Sequence, residues 1–189
     1  MANYSTDNVK TTRGWTGGVV YVADAGSTLP SNASTDLPSA TWTNLGHIDD
    51  SGITRSLSRN VETIKNIDGD PVKVITVEHS IKYKFRPLET NPDVLKFYLG
   101  EDNVTESSGK VTGYQIKNED IAVRPMVLEL RTDTNERTRV VVPKASVSET
   151  GDATAKPNTT PTPEITIEAL PDSSGIKVYV YVAEIEDES

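Results

Sequence analysis

The sequence predicts a mainly β protein: an antiparallel β-sandwich or partly closed barrel with one flanking α-helix and long extended loops or arms. Short blocks of β-branched and aromatic residues recur along the chain, separated by turn-forming residues. One segment, residues 72–86, alternates apolar and polar side chains over a longer stretch than an ordinary strand. Strands and helices do not alternate, which argues against a parallel sheet.

The N-terminal part of the chain predicts three strands around a long loop. Residues 17–23 combine β-branched and aromatic side chains and predict the first strand. Residues 24–40 form a polar loop, and loops of this length in compact domains are usually functional or disordered. Strands are predicted again at 41–48 and 53–58, with the Asp-Asp-Ser-Gly string at 49–52 as the turn between them.

The long alternating segment predicts a half-buried antiparallel strand. Its apolar face consists of Ile75, Val77, His79, Ile81, Tyr83 and Phe85. The strand pairs most naturally with residues 53–58 and beyond, across a polar connection at 66–71. Because the strand is so long, we predict that residues 59–72 protrude from the body of the domain as a hairpin.

One helix is predicted between Asn91 and Gly100. Asn91 can cap the first turn, Pro92 suits the first helical position, and Asp93 complements the positive end of the helix dipole. Gly100 can end the helix. The apolar stripe consists of Val94, Leu95, Tyr98 and Leu99.

The C-terminal half predicts further strands and two polar segments. The strands cover 111–117, 121–131, 137–143, 164–170 and 176–182. Residues 151–163 form a Pro/Thr-rich connector, and residues 184–189 form an acidic, solvated tail. With an N-terminal arm at 1–16, we expect one domain over residues 1–189.

Composition and charge exclude several classes of function. The chain of 189 residues contains no cysteine, so it has no disulfide, zinc–thiolate site or thiol nucleophile. Its formal net charge of −9 argues against nucleic-acid binding, because such binding requires Lys and Arg side chains to displace counterions from the phosphates. The polar N-terminus lacks the features of a signal peptide and no apolar run matches a membrane span, so we expect folding in the cytoplasm.

No group of residues predicts a cofactor or a metal site. His47 lies near Asp49 and Asp50, but no second ligand cluster accompanies them. The Asp-Gly-Asp string at 68–70 hints at a calcium loop, yet the alternating oxygen ligands and the closing Glu do not follow. A polar hairpin turn is the better interpretation of this string.

The other candidate residues favour structural roles. His79 lies on the apolar face of the long strand, which favours a core or interface histidine over a catalytic one. Lys82, Lys84 and Arg86 form a basic stripe, which we interpret as a solvated face or a partner of acidic loops. Phosphate loops and common hydrolase motifs are absent, so we predict that the protein is not an enzyme, although counting carboxylates does not exclude a hydrolase.

Four strings in a fixed order carry a family resemblance. The first reads W-T-N-L-G-H-I at 42–48, continues as G-I-T at 52–54, and leads into the long hairpin. The others are residues 77–95, residues 139–151, and A-L-P-D-S-S-G at 169–175, which runs into the last strand. Together they resemble the major tail proteins of siphophages, the phages with long, non-contractile tails.

The resemblance implies a structural virion protein. It implies a β-sandwich with one flanking helix, hexameric rings, and a stack of rings that forms a hollow tail tube. DNA would pass through the lumen without specific binding, and the negative net charge suits such a channel. The implied partners are other copies of the chain, the tape measure protein, the tail terminator and the distal tail or baseplate proteins. The implied location is the virion tail, after assembly in the host cytoplasm.

The predicted assembly residues lie in and next to the hairpin. They are Glu62, Lys65, Asp68, Asp70, Val72, Glu78, Lys82 and Lys84. We expect the hairpin, the loop at 24–40 and the N-terminal arm to become ordered against neighbouring subunits, since such polar segments gain little by folding alone. Alternative functions are a head decoration or head–tail connector protein, or a carbohydrate-binding β-sandwich, which the aromatic content of 6% disfavours.

Overall fold

The computed structural model describes residues 9–117 and 119–185. Within them it is mainly β, with one α-helix, as the sequence predicts. The strands are β1 (Thr12–Gly14), β2 (Val20–Val22), β3 (Thr43–Asn44), β4 (Thr54–Lys65), β5 (Pro71–Phe85), β6 (Val104–Ser107), β7 (Lys110–Tyr114), β8 (Arg124–Thr132), β9 (Glu136–Thr150), β10 (Ile165–Leu170) and β11 (Tyr179–Glu184). The helix α1 covers Pro92–Leu99, and a single 3₁₀ turn, Glu101–Asn103, follows it.

Nine of the strands that the structure describes form one antiparallel sheet. Its order is β3-β2-β8-β9-β10-β5-β4, with β1 beside β8 and β11 beside β9, while β6 and β7 form a separate hairpin. Strand β9 connects two halves of this sheet. One of its edges pairs with β8, and its other edge pairs with β11 and then with β10. The first half contains β1, β2, β3, β8 and β11, and the second contains β10, β5 and β4. Side chains from both halves meet in one core, so the fold is sandwich-like, and within the described residues the sheet does not close into a barrel.

Alternation along β8 and β9 divides their side chains between two clusters. Leu128 and Val140 face the main core, where Phe85 of β5 also lies. Val127 and Val141 face the opposite side of the sheet and pack against Trp42. This half of the sheet is therefore covered on both faces, by the main core and by the segment that precedes β3.

The predicted helix is confirmed at both ends. The side chain of Asn91 accepts a hydrogen bond of 2.9 Å from the backbone N–H of Val94, and Gly100 follows the last helical residue. The buried face differs in part from the predicted stripe, because Phe97 stacks against Phe85 with ring centroids 6.4 Å apart. No helix in the described part of the chain is long and apolar enough to cross a membrane.

Glycines shorten two of the predicted strands. The strand predicted at 17–23 is only Val20–Val22, because Gly18 takes a φ of 129° and interrupts extended backbone. The strand predicted at 41–48 is only Thr43–Asn44, because Gly46 takes a φ of 82°. An asparagine side chain lies where a Cβ of Gly18 would stand, which also favours glycine there.

Strand β9 continues past the predicted end at residue 143. Pro143 interrupts no ladder, because the register with β8 shifts at this position and leaves it without a direct partner. Beyond the proline, β9 pairs with β10 as far as Thr150. The prediction took Pro143 as the end of a strand, and the bulge is what makes the continuation possible.

Other boundaries differ at the edges of the fold. Strands β1 and β6 were not predicted, and β7 ends at Tyr114, three residues before the predicted end. Strand β11 extends to Glu184, which the sequence assigned to the acidic tail. Residues 186–189 of that tail and residues 1–8 of the predicted N-terminal arm lie outside the described residues.

The segment between β2 and β3, residues 23–42, lies on the outer face of the sheet, and we call it the cover loop. The Arg139 guanidinium donates to the backbone carbonyls of Asn32 and Thr35 at 2.7 and 2.8 Å. The fully buried Glu129 carboxylate accepts from Arg139 at 2.5 Å and from Arg137 at 2.8 Å. The expectation that this loop is ordered by neighbouring subunits is wrong, because its own chain holds it.

Candidate assembly surface

Strands β4 and β5 extend beyond the body as a two-stranded ribbon, and we call its part from residue 59 to residue 79 the arm. Every residue of β4 is exposed, and β5 contains no buried residue between Pro71 and His79. These nine residues of β5 span about 30 Å at ~3.3 Å per residue. The predicted half-buried strand is therefore half-buried only from Ser80 to Phe85, and its outer part has solvent on both faces.

A β-bulge divides the arm and changes which side chains share a face. Asn60 pairs with Glu78, but the next β4 residue, Val61, pairs with Thr76, so Val77 has no direct partner. Because directly opposed residues share a face, alternation along β5 shifts by one residue at the bulge. The prediction that residues 75, 77, 79, 81, 83 and 85 share one face is wrong for Ile75, which lies opposite Glu62 on the other face.

We name the two faces of the arm by their continuity with the body. The inner face continues the side of the sheet that carries the buried Tyr83 and the partly buried Ile81. Its paired residues are Arg59 with His79, Val61 with Thr76, and Thr63 with Val74. The outer face carries the pairs Asn60 with Glu78, Glu62 with Ile75, and Ile64 with Lys73.

The end of the arm is a tight, internally bonded turn. The Asn66 side chain accepts hydrogen bonds from the backbone N–H groups of Asp68 and Asp70, at 3.1 and 2.8 Å. Gly69 has a φ of 89°, a conformation that favours glycine, and its N–H donates to the Asn66 carbonyl. The turn is thus formed by the chain itself, and it presents Ile67 at its end.

Apolar side chains are concentrated in the arm. The described residues include thirteen large apolar side chains that are exposed, and six of them lie in the arm. These six, each at least 50% exposed, are Val61, Ile64, Ile67, Val72, Val74 and Val77. Large apolar side chains that are left exposed and concentrated in one segment point to an interaction site. Of these six, the sequence analysis predicted only Val72 as an assembly residue and placed Val77 on the apolar face of a half-buried strand. Apolar residues in a segment that leaves the body are nevertheless a signal readable from the sequence.

The predicted assembly residues fall into two groups. Glu62, Lys65, Asp68, Asp70, Val72 and Glu78 lie in the arm and are exposed. Lys82 and Lys84 lie at its base, where β5 also pairs with β10. Lys84 is paired with Glu164 of the same chain at 2.7 Å, and this hydrogen bond and the charge of Glu164 raise the pKa of Lys84. The structure therefore gives Lys84 a partner within its own chain.

Neither histidine lies in a catalytic arrangement within the described residues. His79 is exposed in the arm, so it is not a core histidine, and its backbone carbonyl accepts from Lys177. His47 Nδ1 lies 2.9 Å from Glu89 Oε1, and the hydrogen bonds from His47 lower the pKa of Glu89. The side chain of Asp49 instead accepts from the backbone N–H of Ser51 in its own turn. Among the described residues, no group of three His, Cys, Asp or Glu side chains could hold a metal ion.

Comparisons with known proteins identify the family. No curated protein sequence matches the chain. Among solved structures, the chain is similar to a chain of the sheath–tube complex of an extracellular contractile injection system, PVC, in its extended state. That match has 10% sequence identity and a TM-score of 0.41, and it covers 87% of this chain and 89% of the other. The family model described as phage tail tube protein matches residues 6–186, and the chain therefore belongs to the phage tail tube protein family.

Proposed function

We propose that this protein is the major tail tube subunit of a phage with a long, non-contractile tail. Copies form hexameric rings, and the rings stack into the channel through which DNA leaves the virion. The observation that carries the proposal is the family match over residues 6–186. The ordered strings that resemble siphophage tail proteins support the type of tail.

The arm is the part of the chain that we assign to assembly between copies. An isolated two-stranded ribbon is at best marginally stable in water, so a long ribbon with apolar side chains gains stability when it docks. In a tail tube the available surface is another copy of the same chain. The tape measure protein, the tail terminator and the distal tail or baseplate proteins are the proposed partners at the inside and the ends of the tube.

The channel that we propose needs no catalytic residue and no specific DNA site. A wall built from copies with a net charge of −9 repels phosphates, which lets DNA slide without binding. We propose that the protein is not an enzyme, that it assembles in the host cytoplasm, and that its final location is the virion tail.

Electron microscopy of the purified protein tests the proposal. We expect a soluble monomer or small oligomer that forms hollow tubes with six subunits per ring when it is concentrated or nucleated by an initiator complex. A protein that stays monomeric under both conditions would contradict the proposal. Tubes with another number of subunits per ring would contradict the hexamer alone.

A shortened arm separates assembly from folding. Because Asn60 pairs with Glu78, replacing residues 61–77 with Asn-Gly keeps the ladder in register up to that pair. The free energy of unfolding should change by no more than about 1 kcal/mol, since the deleted residues are not buried and loop closure depends weakly on length. The variant should form no tubes. Normal tubes from a folded variant would show that the arm is not the assembly element.

A further inference from the structure

The arm carries apolar side chains on both of its faces, and one partner can cover only one of them. A ribbon that lies on a single surface usually keeps its other face polar. We propose that the arm lies between two other copies of this chain, one against each face. This inference rests on the proposed function, because both partners are copies of the tube subunit.

The inner face combines apolar and basic residues. Val61 and Val74 are exposed on it, and Leu57 continues the apolar surface at the base. From Arg55 to Lys65 the paired residues of this face include no carboxylate. A second copy has an excess of acidic groups over its surface, since the chain carries a net charge of −9. Charge complementarity therefore favours a second copy on the inner face.

The same face leads into a cavity at the base of the arm. The cavity has a volume of about 560 Å³ and lies between the two halves of the sheet. Its lining includes apolar side chains, such as Tyr83, Leu128 and Val140, and the charged residues Arg13, Asp49, Asp50 and Arg55. A copy that packs on the inner face can place side chains in this cavity, where both apolar and charged groups are available to contact them.

The outer face is apolar in a different place and has mixed charge. Ile64 lies opposite Lys73, and Ile75 lies opposite Glu62, so the two isoleucines are diagonal neighbours on this face. Glu62, Glu78 and Lys73 surround them. The exposed surface around Ile64 is thus suited to a second, more polar interface.

The bulge at Val77 determines which apolar residues of β5 lie on each face of the arm. Without the extra residue, strict alternation would place Ile75 on the inner face with Tyr83 and Val74 on the outer face. With it, Val74 lies on the inner face as a diagonal neighbour of Val61, and Ile75 lies on the outer face as a diagonal neighbour of Ile64. Each face of the arm beyond the bulge therefore carries neighbouring apolar side chains that a partner can bury.

Matched double variants on the two faces test the proposal. Val61→Thr with Val74→Thr changes the inner face, and Ile64→Thr with Ile75→Thr changes the outer face. Each pair should raise the critical concentration for tube formation about tenfold, because threonine keeps the strand conformation and loses apolar burial. The control pair, Ile64→Val with Ile75→Val, keeps the outer face apolar and should assemble close to wild type. Thermal melting of the unassembled variants should stay close to wild type.

The outcomes separate this inference from the proposed function. If wild type forms tubes and one face tolerates threonine, the arm has a single partner and the inference is wrong. If a threonine pair unfolds the unassembled chain, those side chains belong to its own core, which also overturns the inference. A wild-type protein that forms no tubes overturns both the inference and the proposed function.

Cross-linking identifies the two partners directly. The chain has no cysteine, so Val74→Cys and Ile75→Cys can each carry one cysteine-reactive photo-cross-linker on opposite faces of the arm. In assembled tubes, both should cross-link to other copies, and mass spectrometry should map them to different peptides. Cross-links from both positions to the same peptide, or from only one position, would show one partner.

Discussion

The cover loop and the arm are both long segments outside the core, but only the cover loop is held to the body by buried groups. The cover loop is held to the sheet by Arg137 and Arg139, which lie on β9 and bond the buried Glu129 on β8. The arm has its turn and its ladder but no buried contact with the body beyond Ser80. Length and polarity alone therefore do not show whether a segment is held by its own chain; here the cover loop is held by Arg137 and Arg139, which are bonded to the buried Glu129.

The residues that hold the cover loop, Glu129, Arg137, Arg139 and Asp36, form a group that we call the anchor. This group also explains how charged side chains can be buried in this protein. Glu129 and Arg139 are fully buried, and such groups are stable only when they are paired and hydrogen-bonded. Arg137 adds a contact over the Trp15 ring at 4.2 Å and an ion pair with Asp36 of the cover loop at 2.9 Å. The positive charges of Arg137 and Arg139 therefore balance the negative charges of Glu129 and Asp36, and Asp36 comes from the cover loop.

The largest expected effect comes from removing the anchor. Arg139→Ala leaves one oxygen of the buried Glu129 and two loop carbonyls without their donor. We expect the free energy of unfolding to fall by about 3–5 kcal/mol, measured by urea denaturation. The matched control, Arg59→Ala in the arm, should change it by no more than about 0.5 kcal/mol. Equal effects of the two variants would remove the distinction between the regions.

Proteolysis should show the next largest difference. In the unassembled protein, thermolysin should cut within residues 61–77 before it cuts within the cover loop, because the ribbon has no buried support. Assembly should protect the arm. In Arg139→Ala the cover loop should become the faster site, and cleavage of the wild-type loop before the arm would contradict the comparison.

A smaller effect is expected at the exposed end of the anchor. The Asp36 side chain is 88% exposed, so its ion pair with Arg137 is screened by solvent. Asp36→Asn should lower the free energy of unfolding by no more than about 1 kcal/mol, measured as before. A loss as large as that of Arg139→Ala would place the main anchor at Asp36 instead of the buried pair.

The smallest expected effect is a loss of stability in acid, which comes from contacts between the N-terminal segment and two carboxylates of the body. Hydrogen bonds from Thr11 lower the pKa of Asp133, and a hydrogen bond and the charge of Lys10 lower the pKa of Glu136. A lowered pKa in the folded state means that unfolding takes up protons, so this stability is present at neutral pH and is lost in acid. The loss should begin near pH 4.5, the ordinary value for Glu136, and continue as the pH falls.

The variant without residues 61–77 provides the control for that titration. Its acid profile should follow that of wild type, because Asp133 and Glu136 lie at the turn between β8 and β9 in the body. Denaturation midpoints at a series of pH values measure both proteins. An acid profile that changes when the arm is shortened would show that the arm interacts with the body in the unassembled state.

The sequence predicted those features whose signals lie close together in the chain. The helix between Asn91 and Gly100 is an example, because its cap, its stripe and its end are all local. The alternation along β5 was also local, but its face assignment failed at Val77, since a bulge is set by the pairing with β4 and not by β5 alone. The anchor was missed because Arg139 bonds loop residues more than 100 positions away.

The order in which the contacts form follows from these same separations. The arm closes a turn of a few residues between β4 and β5, and such hairpins form within microseconds once both strands exist. The cover loop must wait for Arg139, which is 107 residues after Asn32. We expect the arm of a growing chain to begin forming and reopening as a hairpin while the cover loop has no anchor yet. During synthesis, the two strands of the arm are thus able to pair before the residue that holds the cover loop has been made.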